Sequence, residues 1–422
     1  MKDDAAQELL SSKHLCILPW LHAAVWTDGR VIPCCINQDY VFGHTHQSGL
    51  DEALDSPAAN AFRVEMLRGR LPASCYRCSQ PEAEFGSLSY RQDMNRRFQH
   101  HADLIRKTDS DGRRQVRRSV YLDVRFSNLC NLACIMCDEV NSSLFAQKER
   151  AAGRYDGPTL RRAFGKPEDF WKFFDDHIGE FEEIYFCGGE PILLAEHEDL
   201  LKRLIRAGRT QVHLRYNTNL TRLAAGSSST SVLELWAKFE RVSVQASIDA
   251  YGELATIIRR GSDWRQIEDN LRAVHQLSRN VAGVSLVITP TVQILNALHL
   301  LDLYRHLRSV DALGDSMVSP NLLMFPSHFS IQNLSDDDKQ RVVTAWDQLA
   351  GLANQAPEGA HLRSRLTEMK AYMMLQASRE EEILRLRSWL DQTSAQGANE
   401  VLKLAGLRLS NSPHANAQRD GR

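Results

Sequence analysis

The 422-residue chain is 43% hydrophobic and 25% charged, with a formal net charge of -2, an ordinary globular composition whose charge gives no electrostatic reason for a nucleic-acid or membrane partner. No apolar run is long enough to span a membrane, and the start MKDDAAQELLSSKH is too acidic and polar for a signal peptide. A cytoplasmic protein is therefore expected, and its nine cysteines are read as metal ligands or redox groups rather than as a disulfide framework.

In chain order, Cys16, Cys34, Cys35, Cys75 and Cys78 fall in a first expected domain, 1–95. Residues 96–118 are basic and polar, with a turn signal at 109–112, and read as a linker with some helix. From 119 to 330 β-rich runs alternate with amphipathic stretches. Strands are predicted at 119–126, 182–188, 211–217, 241–248, 283–292 and 315–325, and helices at 196–208, 231–239, 264–278 and 296–309. Six βα repeats predict a parallel sheet, either a partial barrel or doubly wound. Ligands of such folds bind in the loops that follow the strands. The stretch 331–410 reads as a helical extension whose first helix has Ser335 as its N-cap, and 411–422 as a disordered tail.

The loop after the first of these strands reads FSNLCNLACIMCD and holds Cys130, Cys134 and Cys137. A structural zinc site takes four ligands and a redox pair takes two thiols, so the CxxxCxxC spacing fits neither. Three thiolates can bind three irons of a 4Fe-4S cluster and leave the fourth iron open to an exogenous ligand. These residues resemble the signature of the radical S-adenosylmethionine (SAM) superfamily, which implies a partial (β/α)6 TIM-like barrel over 119–330. The resemblance continues at the strand ends. CGGEP places Gly188, Gly189 and Glu190 where the family meets the SAM amino group, and YNTNL places Asn217 and Asn219 at a TNG-like motif with Leu220 in the glycine's position. ASIDA supplies Ser247 and Asp249, VITPTVQILN supplies Gln293 and Asn296 for the adenosine, and Arg260 is a candidate for the SAM carboxylate, as is Arg259 beside it. Cys187 is read as a small apolar filler at a strand end.

Cys16, Gly29 and Cys34 have the spacing of the auxiliary-cluster hairpin of the twitch domain, the short relative of the SPASM domain, and Cys75 and Cys78 complete a four-thiolate set. The resemblance implies one auxiliary 4Fe-4S cluster, here N-terminal to the barrel. Whether Cys34 or Cys35 is the ligand stays open, with the spacing favouring Cys34, and a four-cysteine zinc knuckle is the competing site. Glu84, Ser89 and Arg91 are candidates for a substrate face or for capping.

The implied function is reductive cleavage of SAM to a 5'-deoxyadenosyl radical that abstracts hydrogen from a peptide or small-metabolite substrate, with the auxiliary cluster in electron transfer. The implied partners are that substrate and a reductant such as flavodoxin or ferredoxin. The competing readings are a dehydrogenase or epimerase of a sugar- or amino-acid-derived metabolite and, from another class, a non-catalytic iron-sulfur electron carrier or scaffold.

Overall fold

The computed structural model describes residues 2–85, 89–226, 228–313, 317–353 and 359–408; the tail at 411–422 and the side chain of Glu84 lie outside them. The chain forms two compact units, one made of Met1–Cys130, Glu139–Tyr216 and Ala225–Val242, the other of Asn131–Asp138, Asn217–Ala224 and Ser243–Arg422. Both are α/β in build. Among the described residues no helix is long and apolar enough to cross a membrane.

The first unit is organised on strands β1 (His22–Val25), β2 (Arg30–Ile32), β3 (Gly43–His44), β4 (Tyr121–Val124), β5 (Glu183–Phe186) and β6 (His213–Thr218, of which the first four residues belong here), in the order β3-β2-β1-β4-β5-β6. β1, β2 and β3 are antiparallel neighbours, whereas β1 with β4, β4 with β5, and β5 with β6 are parallel. The expected hairpin is thus present, and one of its strands extends the parallel sheet.

Register puts His22, Tyr121, Glu183 and His213 in one row and Ala24, Asp123, Tyr185 and Arg215 in the next. Because side chains alternate across a strand, these residues share one face of the sheet. Leu122, Val124, Ile184, Phe186, Leu214 and Tyr216 take the other, and all six are buried. That apolar face is continued by aromatic contacts. Tyr216 stacks on Phe186 at 4.8 Å, meets Trp236 at 4.9 Å and receives His197 of the helix Ala195–Arg206 through a 2.9 Å hydrogen bond.

In the second unit β7 (Val242–Ala246, of which the last four residues belong here) neighbours β8 (Val284–Ile288), which pairs in parallel with β10 (Met317–Val318), while β9 (Thr291–Val292) pairs with β11 (Asn321–Leu322). The helices Trp264–Asn280 and Leu300–Ser309 fall where the apolar spacing predicts them. The C-terminal helical region contains Asp336–Ala353, Gly359–Met374, Glu380–Thr393 and Gly397–Leu404. Ser335 caps the first of these, its Oγ accepting from Asp338 N at 3.2 Å. Between β4 and β5 the structure adds helices Ser143–Ala151 and Pro167–His177, which the sequence reading passes over.

Gly29 makes the β1–β2 turn with φ +87°. A Cβ there would lie 2.8 Å from Thr45 Oγ1 and 3.0 Å from Ala163 O, so a side chain meets both a left-handed backbone and crowding. Gly29→Ala is expected to lower unfolding free energy by about 2 kcal/mol, measured as a shift of the urea midpoint at unchanged slope.

Candidate functional site

Four of the predicted ligands come together in the first unit. Cys16 lies between the helices Lys2–Ser11 and Leu18–Leu21, and Cys34 follows β2. Cys75 ends a short 3-10 turn and Cys78 lies three residues on, in the helix Tyr76–Phe85, a spacing that puts both on one helical face. All four line a single cavity, together with Asn37 and Arg91. Four cysteines around one cavity offer the all-thiolate donor set that a 4Fe-4S cluster takes.

Local hydrogen bonds fix the arrangement. Asn37 N donates to Cys34 O at 3.1 Å, closing the turn that carries the cysteine pair. The Asn37 amide reaches across to Ser74 Oγ at 3.0 Å and Cys75 Sγ at 3.5 Å. Arg91 is buried and held by Glu82 at 2.5 Å and by the carbonyls of Ser12 and Leu15. Ser89 forms a capping box with Gln92 at the start of the helix Tyr90–Arg97. Burial raises all four thiols, Cys75 to about 12 and the other three also above the ordinary 9.0.

Cys35 is not among the residues lining the cavity. Its thiol, raised to about 11 by burial and then by Asp123, has Arg125, Tyr90 and Arg215 as further neighbours. It therefore belongs to the polar face of the sheet. There Cys187 donates to Asp123 Oδ1 at 3.2 Å, Arg125 Nε lies 3.5 Å from the same oxygen, and the Arg125 guanidinium is centred 3.4 Å from the Trp26 ring. Cys187 is thus a hydrogen-bonded thiol in a charged setting rather than the apolar filler that a lone cysteine suggests. Asp123 and Arg125 carried no sequence signal beyond a strand. Only their alternation with Leu122 and Val124 marks a buried polar face.

In the same unit the GGE turn is bound to the approach of the cysteine loop. Gly188 and Gly189 have φ +74° and +54°. A Cβ on Gly189 would come 2.4 Å from Leu129 O, and Glu190 N donates to that carbonyl at 2.8 Å. The Glu190 carboxylate is buried and accepts from Ile192 N at 3.3 Å. Cys130 closes this unit, its N donating to Ser143 Oγ at 3.1 Å.

In the second unit the segment carrying Cys134 and Cys137 is laced to residues 258–260 by Ala133 N to Arg260 O (2.8 Å), Ile135 N to Ile258 O (2.9 Å) and Arg260 Nε to Ala133 O (2.9 Å). Arg260 also lies over the Trp389 ring. Arg259 reaches Cys134 Sγ at 3.8 Å and pairs with Asp249 at 2.8 Å. Asp249 Oδ1 accepts from Thr291 N at 2.7 Å, and Asn296 Nδ2 donates to Asp249 O at 3.0 Å. Gln293 Oε1 accepts from Leu295 N at 3.2 Å. Asn219 bonds Asn131 at 3.2 Å and Thr221 at 2.9 Å, and Ser247 N donates to Thr218 O. Leu220, in the glycine position of the motif, has φ +52°, the left-handed backbone that favours glycine. Asn217 Oδ1 and Gln293 Nε2 are buried without a hydrogen-bond partner among the described residues, as expected where a polar ligand supplies the missing bonds.

Residues 124–303 match the model of the radical SAM superfamily, and residues 16–79 match SPASM, an iron-sulfur cluster-binding domain. These domains bring a 4Fe-4S cluster, SAM and an auxiliary iron-sulfur cluster as cofactors. No curated protein matches. Solved structures similar to parts of the chain include native anSMEcpe with bound AdoMet, 20% identical over 54% of this chain and 60% of that one with a TM-score of 0.37. Another is Streptococcus suis SuiB bound to S-adenosylmethionine, at 12% identity, 70% and 59% coverage and a TM-score of 0.35. The chain spans about 60% of the length of these structures.

Two outcomes are expected. After anaerobic iron-sulfur reconstitution, Cys34→Ala should lose about four irons per chain while Cys35→Ala keeps the wild-type count, read by iron and sulfide assay. In metal-free protein the raised thiols favour the folded state fully below their ordinary value of 9.0, and this contribution is lost as pH rises through the folded values, from 9 towards about 12 for Cys75. The melting temperature of the metal-free form should therefore fall above pH 9, measured by circular dichroism.

Proposed function

We propose that this chain is a radical SAM enzyme that removes hydrogen from an unactivated C–H position of a peptide or small metabolite, with an auxiliary cluster in electron transfer. The observation that carries this reading is that Cys16, Cys34, Cys75 and Cys78 are complete as a set around their own cavity. Cys130, Cys134 and Cys137 are then left for a separate cluster with one iron open. When bound, that cluster and SAM supply the hydrogen-abstracting chemistry.

The chain's own residues bind and orient. Arg259 sets a positive charge 3.8 Å from Cys134 Sγ, which favours the thiolate that a cluster needs. Asp249 and Asn296 hold the ends of their loops together, and in this reading Asn217 and Gln293 offer their unpartnered atoms to SAM. Gly188 and Gly189 bring backbone, without side-chain bulk, to the start of the cysteine loop, and Glu190 is the acceptor offered to the SAM ammonium. The polar sheet face holding Asp123, Tyr185 and Cys187 is the face offered to substrate. Four protein thiolates leave the auxiliary cluster no open iron, so its role is to carry electrons.

Anaerobic reconstitution followed by dithionite and SAM tests the reading. About eight irons per chain and formation of 5'-deoxyadenosine are expected. Cys134→Ala should retain about four irons and form none of that product. A fully loaded wild-type protein that forms no 5'-deoxyadenosine would leave the electron-carrier reading standing instead. Stimulation of SAM cleavage by a peptide panel, against a panel of sugars and amino acids, separates the two substrate classes.

A further inference from the structure

Away from every cysteine, the segment before β4 places two adjacent histidines on one carboxylate. His100 Nε2 lies 2.9 Å from Glu182 Oε2, and His101 Nε2 lies 2.8 Å from Glu182 Oε1. The two rings are 4.2 Å apart between centroids, tilted by 43°, and the three donor atoms all lie within 4.8 Å of one another.

This convergence is not what local structure provides. His100 and His101 are consecutive residues of the 3-10 turn Gln99–His101, where successive side chains ordinarily diverge by about 120°. Here they fold back onto a single point. Glu182 is fixed at the mouth of β5, its N donating to Val120 O and its O accepting from His213 N, each at 2.8 Å. The side chain of His101 is 9% exposed, while His100 and Glu182 are 53% and 43% exposed. One side of the cluster is therefore anchored and the other is open to water.

From this geometry we infer that His100, His101 and Glu182 form a divalent metal site, of two imidazole nitrogens and one carboxylate with water in the remaining positions. Nitrogen and oxygen donors in this number suit zinc and its borderline neighbours rather than magnesium or calcium. A metal takes both imidazoles in their neutral form. The bound ion would clamp the 99–101 turn to the start of β5, a staple chemically independent of both cysteine sets.

The test is calorimetric titration of ZnCl2, without oxygen, into protein whose iron-sulfur clusters are loaded so that their cysteines are occupied. One saturable equivalent is expected, with a rise in melting temperature. His100→Ala, at a half-exposed position that should not disturb folding, and His101→Ala should each weaken binding tenfold or more and abolish the rise. Glu182→Gln should weaken it similarly. Binding should survive Cys35→Ser and Cys187→Ser, which separates the site from the free thiols. Absence of saturable zinc binding, or binding unchanged in His100→Ala and His101→Ala, would overturn the inference and leave two imidazole N–H groups donating to one carboxylate. Iron content and 5'-deoxyadenosine formation report on the enzyme reading separately.

Discussion

Charge balance on one buried sheet face is the constraint on which the first unit rests. Asp123 and Glu183 are almost wholly buried, and isolated carboxylates there would cost several kcal/mol each. Glu183 is answered by Arg97, by Arg215 at 3.1 Å and by His213 at 3.4 Å. These neighbours hold it near 2 against the opposing effect of burial. Asp123 has only Arg125 and the Cys187 thiol on one oxygen, and its Oδ2 has no hydrogen-bond partner among the described residues. His22, which burial pushes down to about 4, is likewise left with an unpartnered Nε2. Glu183, at the start of its strand, is answered by cations, whereas Asp123, further along β4, keeps an unpartnered oxygen towards the strand ends, where ligands of α/β folds bind.

The adjacent cysteines Cys34 and Cys35 divide between two environments. Cys34 looks into the four-thiol cavity and Cys35 onto the polar face, so one peptide unit joins the proposed electron acceptor to the proposed substrate face. Burial keeps the thiols protonated in the absence of metal. Cluster loading must therefore release protons, and the bound irons rather than protein cations supply most of the compensating charge.

Much of this was legible in sequence for identifiable reasons. The runs around β4 to β8 are rich in β-branched and aromatic residues with helical stretches between them, so strand positions were accessible from local pattern. Cysteine spacing picked out the four thiols that line one cavity, and glycine at 29 marked the hairpin. What escaped was non-local. Nothing near His22 signals that β1 lies parallel to β4, a pairing that spans about a hundred residues. The roles of Asp123, Arg125 and Cys187 follow from registers between strands, which no single strand encodes. Leu220 keeps the backbone of a glycine without being one, a case of tertiary context overriding local preference.

The parallel pairing of β1 with β4 also imposes an order in time. The ribosome completes the hairpin and all four of its cavity cysteines long before Tyr121–Val124 emerges, so β1 waits with one edge unpaired, an arrangement prone to association with other chains.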